Sequence, residues 1–315
     1  MINGHGDDIY KYPDIRINFS SNICQHTDLT ALKQHLAERF GVVSNYPEPE
    51  PWTLQRAIAR KLGIGEDCVL VTNGVTDAIY LIAQTFSYLP FRTIHPTFSE
   101  YDDACRMYGM RQGQGGLVWL CSPNNPDGRI HRLRATSEAE LLVIDQAYEC
   151  YTQAETMSPR QAISNGHTIL LHSMTKTYAV PGLRLGYLTA APAIIDKLRH
   201  HLRPWAVNAL AIEAGLFLLE HDELIVKPNL EEAQRVYRCL NRIDGIAALP
   251  TDTNFMLCRI ERHTAAELKD YLAHEHRMLI RDASNFRGLS DHFFRIAAQA
   301  PEENDALIEA ISHYA

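Results

Sequence analysis

Short apolar runs rich in β-branched residues recur along the chain: CVLVT (68–72), RTIHP (92–96), LVWLC (117–121), LLVID (141–145), TILLH (168–172) and LGYLT (185–189). They lack the apolar–polar alternation of a half-wet strand, so each predicts a strand covered on both faces. The intervening stretches, such as DAIYLIAQTF and TFSEYDDACRMYG, carry helical periodicity. Strands alternating with helices predict an α/β fold with a mostly parallel sheet between helical layers. After Pro204 the pattern changes to a long apolar-periodic helix near 206–220, then helices interleaved with strands around TNFMLCRI and HFFRIAA. A second, smaller α/β unit is expected there. Residues 41–203 would form the large unit, and 1–40 with 204–315 the small one, because the leading segment has no βαβ partner of its own.

Two connections sit badly with this scheme. A parallel crossover needs a dozen or more residues, usually including a helix. RMYGMRQGQGGLVWL and GRIHRLRATSEAELLVID leave little room for one. Either the links near 111–116 and 129–140 are pared down, or residues are missing from them.

Composition narrows the function. With 315 residues and 46% hydrophobic content the chain can bury a full core. No apolar run approaches the roughly 20 residues of a membrane span, and the first residues lack a signal-peptide pattern, so a cytoplasmic protein is expected. The seven cysteines have no CxxC spacing, which argues against a zinc site or a disulfide framework. A net charge of −8 gives no footprint for nucleic acid.

Candidate chemistry gathers at strand ends. In SMTKTYAVPGLRLGY, Lys176 follows a strand and precedes glycine and proline, which places it on a functional edge of the sheet. Alone it would be a surface charge or an ion-pair donor. Its neighbours suit a lysine that holds pyridoxal phosphate, which needs a carboxylate at the ring nitrogen, donors to the ring oxygen, a stacking aromatic and an anion cradle. Asp145, closing LLVID, suits the ring nitrogen, with a helix N-cap as its alternative. Tyr148 in DQAY and Asn125 in CSPNNPDG suit the ring oxygen, Asn125 otherwise making an Asx turn. TNGVTDAI (72–79) reads as strand, turn and helix start. There Gly74 lets the backbone approach an anion, and the N–H groups of Val75 and Thr76 face it. Ser173 adds a hydroxyl, and Arg184 a planar guanidinium fork.

These four motifs, in this order, resemble the fold type I, aspartate-aminotransferase-like enzymes that use pyridoxal phosphate. Within that group they are most similar to the histidinol-phosphate aminotransferases and the threonine-phosphate decarboxylases of cobalamin synthesis. Gln146 departs from the usual DEAY pattern. The resemblance implies that Tyr46, in NYPEPE, reaches the cofactor phosphate of a neighbouring subunit, hence a homodimer with shared active sites. It implies that Tyr101, in PTFSEY, stacks on the cofactor ring, with Phe98 as a competing choice. Arg295 would grip a substrate carboxylate and Arg281 a substrate phosphate, so a phosphorylated amino acid is expected. GHGDD, INFSSNI and IRDASNFRGLSDHFFR look more like the decarboxylases, which places His5 and Asn22 on an arm over the substrate. The expected activity is decarboxylation of L-threonine O-3-phosphate to (R)-1-amino-2-propanol O-2-phosphate. The alternative is a histidinol-phosphate aminotransferase or a related class I/II aminotransferase. The two differ in which bond at the α-carbon stands perpendicular to the cofactor ring, and sequence does not fix that torsion.

Overall fold

Twelve strands organise the computed structural model, which describes residues 6–132 and 139–315. In chain order they are β1 (Ile17–Asn18), β2 (Val69–Thr72), β3 (Phe91–Thr93), β4 (Leu117–Cys121), β5 (Leu141–Asp145), β6 (Thr168–His172), β7 (Gly186–Thr189), β8 (Ile246–Ala248), β9 (Phe255–Ile260), β10 (Met278–Leu279), β11 (Arg281–Asp282) and β12 (Phe293–Ala297). The main sheet has the order β2-β7-β6-β5-β4-β3. Its strands β3 to β6 run parallel, and β7 lies antiparallel between β2 and β6. The mostly parallel α/β sheet expected from the pattern is therefore present. β4, β5 and β6 coincide with their expected runs because both faces are packed. Leu117, Trp119, Val143 and Leu171 join the helices Gly74–Thr85 and Glu100–Met107 on one side, while Leu120, Ile144 and Leu170 pack on the other. β3 ends at Thr93, short of Pro96, whose nitrogen has no hydrogen to give a ladder.

β11-β12-β9-β8 form a second, antiparallel sheet. Helices Leu230–Leu240, Ala265–His276 and Pro301–Tyr314 bury their apolar sides with it in one core. β1 pairs with β10 and ties the leading segment to this unit. Two helices lie elsewhere than expected. Thr30–Glu38 and Ala209–Leu219 pack by the β2 side of the main sheet, where Leu32, Leu54, Val69, Ala211 and Leu218 share a core. A helix as uniformly apolar as Ala209–Leu219 must sit between layers, so boundaries at 40 and 203 cut through packed structure.

The short connections are also resolved in part. After Glu100–Met107 the chain turns back along the edge of β3, bridging Gln112 to Phe91, and enters β4 directly. That link is pared down. The second falls partly on residues 133–138, outside the described residues. Among the described residues no helix is long and apolar enough to cross a membrane, and no cluster of metal-binding side chains occurs.

Candidate active site

The carboxyl ends of β4, β5 and β6 open into a cavity of about 320 Å³, closed on its far side by residues of β11, β12 and the segments around Gly6 and Ser20. Ligands of open α/β sheets bind at such strand ends. Lys176 stands in the short helix Met174–Thr177, which begins just after Ser173, and its carbonyl accepts from the Tyr151 hydroxyl at 3.0 Å. Its amine lies 5.7 Å from the centre of the Tyr148 ring. Burial and the nearby Arg295 lower the amine to about 8, with Asp7 pulling the other way.

Asp145 ends β5 and is buried. One carboxylate oxygen accepts the Ala147 N–H at 2.9 Å, and the other accepts the Tyr101 hydroxyl at 2.6 Å. Burial raises its carboxyl above the usual range, against the pull of these hydrogen bonds. Tyr101 differs from expectation. Its ring is wholly buried and stacked on Trp119 at 5.1 Å, so that face is covered before any ligand arrives. Phe98, only partly buried, meets Tyr101 edge-on and lines the cavity wall. Tyr101 lines the cavity too, but Phe98 is the ring of the two with surface to offer.

Val75, Thr76, Ser173 and Arg184 line one end of the cavity. Gly74 opens the helix behind them with φ +77°, and a Cβ there would lie 2.7 Å from an Arg184 guanidinium nitrogen. Glycine is what lets the helix N-terminus and the guanidinium converge. Thr175 lines the cavity as well and was not singled out from sequence.

At the other end Arg281 and Arg295 stand directly opposite one another on antiparallel β11 and β12. Both are buried. Like charges so placed repel unless an anion lies between them. Arg295 donates to the Asn125 amide oxygen and to the Ser20 carbonyl, which fixes both groups, and its Nε has no hydrogen-bond partner among the described residues. Burial lowers its guanidinium to about 10, and Arg281 adds to the shift. Arg281 donates to Asn285 at 2.7 Å. Asn22 is buried at the cavity wall within reach of the Tyr148 hydroxyl, its amide otherwise without a hydrogen-bond partner among the described residues, which leaves it able to meet a ligand.

Thus the structure gathers Lys176, Asp145, Tyr148, Asn125, Ser173, Val75, Thr76, Arg184, Asn22, Arg281 and Arg295 around one cavity. Tyr46 lies apart, 87% exposed and packed on Trp205. His5 falls outside the described residues. Gly6, Asp7, Asn285 and Phe286 also line the cavity. Their signal lies in GHGDD and IRDASNF, motifs that point by resemblance to His5 and Arg281 alone. Pyridoxal phosphate fits this donor set: an amine depressed toward neutrality, a buried carboxylate, a helix N-terminus with a guanidinium, and orphaned polar atoms beyond them.

The family described as aminotransferase class I and II matches residues 14–115 and 111–311, so the chain belongs to that family. Among solved structures, the L-threonine-O-3-phosphate decarboxylase from Porphyromonas gingivalis superposes with a TM-score of 0.91 at 36% identity, covering 95% of this chain and 99% of that one. The threonine-phosphate decarboxylase of Salmonella typhimurium is 28% identical, over 95% of this chain and 91% of its own. A histidinol-phosphate aminotransferase of Moorella thermoacetica is 27% identical, over 88% and 80%.

Proposed function

We propose that the chain is a pyridoxal-phosphate-dependent carboxy-lyase of cobalamin synthesis that converts L-threonine O-3-phosphate to (R)-1-amino-2-propanol O-2-phosphate and carbon dioxide. The observation that carries this reading is the pair of opposed, buried arginines beside Lys176. Such a pair asks for a small substrate with two anionic groups. Arg295 takes the α-carboxylate and Arg281 the phosphate, with Asn22 and Asn285 beside them. When bound, pyridoxal phosphate supplies an electron sink for the pair left at the α-carbon. Lys176 holds the cofactor, and Asp145 keeps a proton on its ring nitrogen. Tyr148 and Asn125 face the ring oxygen, and Phe98 rather than Tyr101 covers the ring. The bond from the α-carbon to the carboxylate breaks, and a proton from Lys176 takes its place.

A decarboxylase gains nothing from holding the leaving carboxylate tightly in the ground state. Arg295 already gives two nitrogens to protein oxygens. It is built to orient more than to clamp. On this reading Tyr46 serves the cofactor phosphate of a second subunit, and His5 lies on the arm over the substrate. The enzyme works as a cytoplasmic homodimer, in line with its free cysteines. Residues 41–203 form the large unit, with 1–40 and 204–315 in the small one apart from the two helices that pack on the main sheet.

The test is a mass balance on protein loaded with pyridoxal phosphate. Carbon dioxide and aminopropanol phosphate from threonine O-phosphate, with no keto acid present, support the proposal. Glutamate from histidinol phosphate and 2-oxoglutarate, with no gas from the first mixture, would overturn it in favour of the aminotransferase reading that the Moorella relative represents.

A further inference from the structure

Helix Ala265–His276 buries a lysine, Lys269, that does not line the cavity. Lysine is seldom buried without a partner. Here the partner comes from 261 residues earlier: the Lys269 ammonium donates to both carboxylate oxygens of Asp8, at 2.9 and 2.7 Å. Tyr12 roofs the pair, its ring 5.2 Å from the ammonium and its hydroxyl held by Asp270 at 2.8 Å. Lys11 adds a looser contact to Asp8 at 3.7 Å from an exposed position.

The two residues preceding Asp8 reach the cavity. The Asp7 N–H donates to the Ser20 hydroxyl at 3.0 Å, and the Ser20 carbonyl holds Arg295. Gly6 lies against the side chain of Arg281 so closely that a Cβ would stand 2.8 Å from its Cδ. Asp8 itself offsets part of the cost of burying Arg281. The leading segment thus presses on the proposed phosphate ligand from one end and is fastened by a buried charge pair at the other.

We propose that Asp8 and Lys269 form a clasp, outside the cavity, that seats the N-terminal segment on Arg281 and so sets affinity for the phosphate end of the substrate. This rests on the assignment of Arg281 to a substrate phosphate. The two residues are positioning residues. Removing one partner of a buried pair strands the other charge. Asp8 escapes that cost by carrying its segment into water, since the pair with Lys269 is its buried anchor. The loss therefore falls on the seat of Arg281 while the helices stay folded.

The test compares cofactor-loaded wild type with Lys269→Met, with the charge-exchanged Asp8→Lys/Lys269→Asp protein, and with Gly6→Ala. For Lys269→Met, KM for threonine O-phosphate is expected to rise about tenfold with kcat within about twofold, and inhibition by free threonine to stay unchanged. Trypsin cleavage after Lys11 should become faster. The exchanged pair should recover most of the KM. Gly6→Ala should raise KM alone, because its methyl displaces Arg281 without loosening the clasp. Faster cleavage with an unchanged KM would overturn the link to phosphate, and unchanged cleavage would overturn the clasp. If wild type fails to turn over threonine O-phosphate, the substrate reading has failed. The clasp is then judged by inorganic phosphate, whose binding should weaken about tenfold in Lys269→Met if it is right and stay constant if it is wrong.

Discussion

A lysine amine serves as a nucleophile only when neutral, and Lys176 is depressed from 10.5 to about 8 by burial among cations. Apoprotein mixed with pyridoxal phosphate should therefore capture it, as followed by absorbance, at a rate that climbs with pH and levels off above about 8. A rate still climbing toward 10.5 would show that the site leaves the amine unperturbed. Stability carries the same signature. Between those two values the unfolded chain binds a proton that the folded one has lost, so this residue's penalty on the fold shrinks as pH rises through that window. At this scale the sequence was readable where a motif fixed one residue, as with Lys176, Asp145 and Asn125. It left PTFSEY open between two rings, because Phe98 and Tyr101 flank one helix start and both line the cavity. Only Tyr101 is stacked on Trp119, a contact from a distant strand that the motif does not announce.

Elements built from local rules were the most legible. Apolar runs covered on both faces gave β4, β5 and β6 without a shift, and TNGVTDAI gave the strand, turn and helix of the phosphate end. That turn makes a sharp demand. Gly74→Ala places a methyl within 2.7 Å of the Arg184 guanidinium at a backbone angle that L-residues avoid. The variant should fold and bind pyridoxal phosphate about tenfold more weakly in a cofactor titration. Wild-type affinity would mean that the helix N-terminus is not the phosphate cradle. The pairing of β11 with β12 was not legible, because register is a property of two strands and not of either alone. Only the pairing turned two separately noted arginines into one facing pair.

Contacts across the whole molecule were the least legible, since nothing near Asp8 announces Lys269. Assembly belongs to this scale too. Tyr46 and Trp205 are exposed and pack on one another, and Phe40, Val43 and Trp52 nearby in the chain are exposed as well. If Tyr46 completes the site of a second subunit, inactive Lys176→Ala and cofactor-poor Tyr46→Ala proteins should regain activity when refolded together. Hybrids then carry one intact site. No recovery, despite mixed dimers seen by native mass spectrometry, would place each site within a single chain.

The facing arginines have a thermodynamic consequence as well. Asp7, Asp8 and Asp282 offset part of the repulsion between these two buried cations, and an anion between them would offset more. A bound anion adds its own mass-action stabilisation. In protein already loaded with pyridoxal phosphate, which occupies the other anion cradle, inorganic phosphate should raise the melting temperature well beyond what chloride achieves at equal ionic strength, which would make simple buffer exchange a reporter of whether this end of the cavity is filled.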